Sequence, residues 1–147
     1  NYGAGQSDRL RQGLRQATAV SAAFSCAVAA LVVVFARPLM GLFVQAGDTE
    51  VIACGVRYLR IEGTFYAGIG CLFLLYGFYR AVQRPGMSVV LTVVSLGTRV
   101  ALAYALAGPV GEVGIWAAIP IGWFLADAAG YGYYLRHRKA LLTPRAQ

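Results

Sequence analysis

Apolar residues gather into four runs along this chain, at 14–35, 60–79, 87–106 and 114–134. Each is long enough, at about 1.5 Å rise per residue, to cross roughly 30 Å of hydrocarbon as an α-helix. Segment 37–59 is too polar for a continuous span, yet Leu39, Leu42, Phe43, Val51, Ile52, Val56 and Leu59 keep an apolar side at helical spacing. It is expected at the outer interface, broken by Pro38 and Gly47, with Asp48-Thr49 starting a helix ahead of the second apolar core. Arg84-Pro85-Gly86 and Gly108-Pro109 are turn signals in the two short links, which make neighbouring helices antiparallel. In the fourth run Gly114, Ala118, Gly122, Ala126 and Gly130 recur every four residues, a seam that lets a partner helix come close. Ala19, Ala23 and Ala27 predict a similar seam in the first. The pattern describes a packed bundle rather than four separate anchors.

Composition identifies the solvent. Charged residues make up 13% of the 147 where about 25% is usual, and the mean hydropathy is +0.61. The chain is therefore read as integral to a membrane, which excludes a secreted disulfide scaffold, a disordered tail and most soluble enzyme folds. The fold class expected is all-α, a polytopic membrane bundle of four transmembrane helices forming a single domain over 1–147. The net charge of +7 matters through its distribution. Arg9, Arg11, Arg15, Arg80, Arg84, Arg136, Arg138, Lys139 and Arg145 fall on one side if all four runs cross. Asp48, Glu50 and Glu112 fall on the other, with Arg37 and Arg57. The Lys/Arg bias puts both ends of the chain, including a basic tail at 135–147, in the cytoplasm. The start at Asn1, without an initiator Met, makes a fragment of a longer protein the expectation.

Polar residues inside a span are costly and call for a reason. Ser88, Thr92, Ser95 and Arg99 form one helical stripe in the third run, and Trp116, Pro120, Trp123, Asp127, Tyr131 and Tyr134 share a face of the fourth, with Pro120 expected to kink it. Arg99 and Asp127 fall about 4 Å to either side of the midplane if the runs are centred. Two readings follow. One is structural, a buried ion pair or an Arg99 stacked on Trp123. The other is functional, a water-filled cavity for protons, cations or a cationic substrate, with Arg99, Trp123, Asp127 and Tyr131 as candidate lining. Glu62, one turn from Tyr58 and Tyr66, reads as a solvated anchor at the outer border. Cys26, Cys54 and Cys71 have no metal-ligand spacing and read as packing residues. His137 sits in a surface basic cluster, and no phosphate loop or zinc pattern occurs, so neither an enzyme nor a metal site is expected. Anionic lipid accounts for the basic tail without nucleic acid.

Asn1-Tyr2-Gly3-Ala4-Gly5 followed by a basic helix start at Arg9 resembles the Gln-Asn-x-Gly-Ala-Gly signature of multidrug and toxic compound extrusion (MATE) transporters. Arg84-Pro85-Gly86-Met87-Ser88, Ser95-Leu96-Gly97-Thr98-Arg99-Val100 and the stretch from Gly114 through Trp116 and Pro120 to Trp123 look like the last three helices of bacterial members. The likeness covers essentially the whole chain and carries the family-motif residues Asn1, Gly3, Ala4, Gly5, Arg99 and Pro120. It implies helices nine to twelve of a twelve-helix antiporter, part of its C-lobe, in a bacterial inner membrane. It also implies efflux of organic cations and other amphipathic compounds in exchange for sodium ions or protons, with no other cofactor. The partners implied are membrane lipids and the N-terminal lobe of the same transporter. The interior 65–78 lacks the carboxylate that some members carry in the tenth helix. Alternatives are a lipid-linked oligosaccharide flippase of the same superfamily and a small four-helix scaffold without transport.

Overall fold

The structure, a computed structural model, describes residues 1–45 and 47–143; Arg145 of the basic tail and Ala46 of the 37–59 segment lie outside them. Among the described residues every regular element is a helix: α1 Ser7–Val34, α2 Ala36–Gly41, α3 Thr49–Thr64, α4 Tyr66–Ala81, α5 Pro85–Val110 and α6 Glu112–Leu142. By length and composition α1, α5 and α6 each suffice to cross a bilayer, and α3 with α4 makes a fourth crossing if the pair, bent by 50° at Phe65, counts as one. This is a helical membrane bundle.

The breaks between helices follow local chemistry, with small displacements from the expected places. Pro85 is the first residue of α5, where its fixed φ suits a helix start and its missing N–H forfeits nothing. The reversal into α5 is made just before it, at Gln83, which adopts φ 57. At the other end Pro109 stays within the last turn of α5, and Gly111, at φ 68, makes the turn into α6. The turn expected at Gly108-Pro109 therefore falls one residue past the helix end. A proline so near a C-terminus removes one hydrogen bond, whereas the reversal itself needs a left-handed φ that glycine adopts freely. Pro120, by contrast, is buried within one continuous α6.

The two chain ends meet. Tyr2 Oη donates to the carbonyl of Thr143 at 3.4 Å, so the start of α1 and the end of α6 share one end of the bundle. At the far end an Arg57 Nη1–Glu112 Oε1 pair at 3.3 Å joins α3 to the start of α6.

Helix α6 runs through the middle, against α1, α3, α4 and α5. Gly114, Ala118, Gly122, Ala126 and Gly130 are all buried, as their four-residue spacing predicts. A Cβ on Gly122 would stand 2.6 Å from the Ser95 carbonyl oxygen, and one on Gly130 2.7 Å from Leu75 Cδ1. Leu72, Leu75, Phe78, Tyr79, Leu91, Trp123, Ala126 and Tyr134 fill the interior around that seam.

Helix α1 departs from expectation. Ala19, Ala23 and Ala27 are exposed, and α1 reaches α4 with Ser21 and Ser25, whose hydroxyls would lie 3.0 and 2.6 Å from a Cβ on Gly70. Two residues along a helix turn it by about 200°, so the serine face and the alanine face are nearly opposite. Both faces are small enough for close packing, and the partner's glycine selects one. The outward face of α1 carries Val20, Phe24, Leu31 and Val34, all exposed; hydrocarbon solvates such a surface without penalty.

The Gly122 crossing yields a stability test. Gly122→Ala is expected to cost about 1–3 kcal/mol, because a backbone carbonyl rather than a pliable side chain blocks the new methyl. Gly132→Ala, with nothing within 4 Å of the new Cβ, should stay within about 0.5 kcal/mol of the parent protein. Unfolding of the detergent-solubilised protein measures both.

Candidate functional site

Two polar clusters lie inside the bundle. Asp127 is fifteen residues from each end of α6 (112–142), about 22 Å from either terminus. It is 9% exposed, and its Oδ1 has no hydrogen-bond partner. Helix α4 passes it in close register: Gly68 lies against Trp123 and Phe124, Leu75 against Gly130, and Tyr79 Oη donates to the Gly130 carbonyl at 2.6 Å.

Tyr131 links this cluster to α1. Its hydroxyl lies 2.9 Å from Thr18 Oγ1, and Thr18 itself donates to the Leu14 carbonyl at 2.8 Å. Since Thr18 has a single hydroxyl proton, the tyrosine must donate to the threonine, which leaves a Tyr131 lone pair free. Around this bond α1 and α6 stand apart and enclose an open cleft of about 710 Å³, lined by Arg11, Arg15, Thr18, Ala22, Tyr131 and Tyr134 among others. It has an apolar wall, two hydroxyls at its side and charged residues toward the end shared by the chain termini.

The second cluster centres on α3. Glu62 is 6% exposed, and its Oε1 has no hydrogen-bond partner. It was expected as a solvated anchor; instead it is a buried carboxylate. The reason is that α3 begins at Thr49, thirteen residues earlier, which carries Glu62 about 20 Å along the helix and into the bundle. The stripe Tyr58, Glu62, Tyr66 and the helix start expected at Asp48-Thr49 were the available signals; centring the crossing on the apolar core 60–79 left Glu62 at its border. Tyr58 stacks edge-on against Trp116 of α6 at 5.8 Å between ring centroids.

Arg99 belongs to this second cluster. Its Cζ lies 5.9 Å from the Trp123 ring centroid, and it is near enough to Glu62 and Tyr58 for its charge to be felt there. The stacked arrangement is thus the one found. Among the described residues the sole ion pair is Arg57–Glu112, so neither Asp127 nor Glu62 is salt-bridged to Arg99, whose Nε is buried without a partner. Ser88, Thr92 and Ser95 continue the Arg99 stripe. Thr92 Oγ1 lies 3.2 Å from the Tyr76 hydroxyl and 2.9 Å from the Ser88 carbonyl, and Ser95 is closed off by Gly122.

The structure therefore sets Trp123, Asp127 and Tyr131 along α6 and Arg99 on α5 over Trp123, without joining the four into a single group. Pro120 lies on α6 as well. Asn1, Gly3, Ala4 and Gly5 stand apart, in an exposed turn before α1 where Gly5 takes φ 66 and donates to the Tyr2 carbonyl at 3.0 Å. Among the described residues no cluster of three or more His, Cys, Asp or Glu side chains could hold a metal ion.

The MatE family model matches residues 1–105, which takes in α1 to α4 and most of α5, Arg99 and Glu62 included. Trp123, Asp127 and Tyr131 lie beyond the matched residues. No curated protein and no solved structure matches the chain.

The hydroxyl bond between α1 and α6 can be tested directly. Thr18→Val and Tyr131→Phe should each destabilise the bundle by about 0.5–1.5 kcal/mol, and the double variant should cost less than their sum, with a coupling near 0.6 kcal/mol. Reversible unfolding in mixed micelles gives all four corners of the cycle.

Proposed function

The chain belongs to the MatE family of membrane transporters, and on that premise we propose that it serves efflux of organic cations by antiport against sodium ions or protons. Membership makes it a multi-pass membrane protein of a family of transporters rather than enzymes. The observation that carries the finer proposal is Asp127, a nine-tenths-buried carboxylate with a free oxygen, one turn from a tyrosine on the edge of a 710 Å³ cleft. A buried charge without a partner is expensive. Asp127 stands one turn behind the cleft wall at Tyr131, and a cationic amphipath entering there has both a charge to offer the aspartate and an apolar body to lie along the wall.

In this proposal the four crossings are α1, the bent pair α3 and α4, α5 and α6, with segment 37–59 entering from the outer interface. The end shared by the chain termini faces the cytoplasm of a bacterial cell, because it collects Arg9, Arg11, Arg15, Arg80, Arg84, Arg136, Arg138 and Lys139. The N-terminal lobe of the same transporter supplies the opposite wall of the pathway, and alternating access shifts the populations of two states as the ion gradient and the cargo bind. Asp127, Tyr131 and Thr18 hold the cargo, while Trp123 and Arg99 line the pathway above them.

Efflux of a fluorescent cation from vesicles containing the full-length protein, with sodium and proton gradients imposed separately, tests this. One of the two gradients should drive efflux. Asp127→Asn should slow it at least tenfold, the loss of about 1.4 kcal/mol of interaction. Efflux that ignores both gradients rules out antiport, and efflux unchanged in Asp127→Asn removes the aspartate from the cargo site.

A further inference from the structure

Arg11 and Arg15 of α1 take no part in holding the bundle together. Both are exposed, and among the described residues neither belongs to an ion pair. One helical turn apart, they line the cleft between α1 and α6 on the same side of α1 as Thr18. Depth is what sets them apart. With α6 centred in the bilayer, Asp127 at its middle lies at the midplane and Tyr131 about 6 Å toward the end shared by the chain termini. The 2.9 Å contact between Tyr131 and Thr18 carries that level across to α1. Arg15 then lies about 10 Å from the midplane, inside a hydrocarbon layer of roughly 30 Å, and Arg11 about 16 Å from it, at the layer's edge. A guanidinium at the level of Arg15 is expensive unless water or an anion reaches it.

The cleft runs from Asp8 to Ala22, a rise of about 21 Å along α1. Half of a bilayer with its headgroups is roughly 20–22 Å, so the cleft spans one leaflet from headgroup to midplane. Its polarity is ordered in the same way. The charged side chains stand at the headgroup end, while Ala19 and Ala22 leave room beside Tyr131 for an apolar chain. Asp8 puts one negative charge at the mouth. Against it stand Arg11 and Arg15 in the cleft and Arg136, Arg138 and Lys139 at the same end of the bundle, so the local field favours an anion.

We propose that this cleft is the binding site of one anionic phospholipid from the leaflet at that end. Arg11 and Arg15 take its phosphate, since the forked N–H donors of a guanidinium match phosphate oxygens. One acyl chain lies along Ala19 and Ala22 as far as the midplane. Basic pockets between membrane helices hold anionic headgroups in this way. The assignment also gives an occupant to the alanine side of α1, which packing against α4 leaves unused. A lipid so seated covers Tyr131, and a cargo molecule entering the cleft displaces its chain. That displacement rests on the transporter reading; the lipid site does not.

Native mass spectrometry of the full-length protein in mixed micelles of phosphatidylglycerol and phosphatidylcholine reads the site. The parent should retain phosphatidylglycerol in preference to phosphatidylcholine. Arg11→Gln/Arg15→Gln should bind it about tenfold more weakly. Ala19→Trp, which fills the cleft and keeps both charges, should weaken it as well. Arg136→Gln/Arg138→Gln, which removes two charges at the same end but outside the cleft, should not. Unaltered thermal unfolding checks that each variant folds, and the exposed position of Ala19 keeps that arm informative if the arginine variant does not. Retention unchanged in Arg11→Gln/Arg15→Gln or in Ala19→Trp, equal retention of the two lipids, or an equal loss in Arg136→Gln/Arg138→Gln overturns the proposal. So does displacement of the lipid by inorganic phosphate, which marks a site for free phosphate. These readouts need no transport, so their failure is distinct from failure of the efflux assay.

Discussion

The structure depends on how closely α6 can be approached. In hydrocarbon there is no water to expel between helices, so association rests on van der Waals contact and interhelical hydrogen bonds, and both fall off steeply with distance. Gly114, Ala118, Gly122, Ala126 and Gly130 strip one line of α6 of bulk. Backbone then lies on backbone at Gly122 and Ser95, and α4 comes near enough for Tyr79 to reach the Gly130 carbonyl. Each contact depends on the absence of a side chain elsewhere along the same line.

That close packing decides where polar groups can be placed. Helix α4 packs on α6 through Gly68 and Leu75, and α5 through Ser95, so the remaining space along α6 lies toward α1 and toward the end of α3. Asp127 and Tyr131 occupy the first of these spaces, Trp123 with Arg99 and Glu62 the second. The two clusters are separate because the seam between them is filled. One reaches the open cleft beside α1 through Tyr131, with Asp127 buried one turn behind it, and the other is enclosed near the bend at Phe65.

Much of the architecture was legible from residue spacing. The small-residue seam of α6 emerged as read, because a four-residue repeat of Gly and Ala has one physical use at the centre of a bundle. The meeting of the chain ends agrees with an even number of crossings. Periodicity also put Arg99 on the stripe of Ser88, Thr92 and Ser95 and put Trp123, Asp127 and Tyr131 on one face. It could not choose between faces of different helices: a pair with Asp127 and a stack on Trp123 were both open to Arg99, and the structure has the stack. The alanine face of α1 failed for the same reason, since the serine face nearly opposite it was equally small and Gly70 lay on that side.

What the amino-acid sequence determined alone was the solvent, the helical class and the family, because hydropathy, helical period and short motifs are properties of the chain read in order. What only the tertiary structure decided was the company each buried charge keeps. Rotation of a helix about its axis is set by contacts with other helices, and although the start of α3 at Thr49 was legible, only packing showed that Glu62, expected at the border, is buried. Depth and partner are relations between helices, and no single helix encodes them.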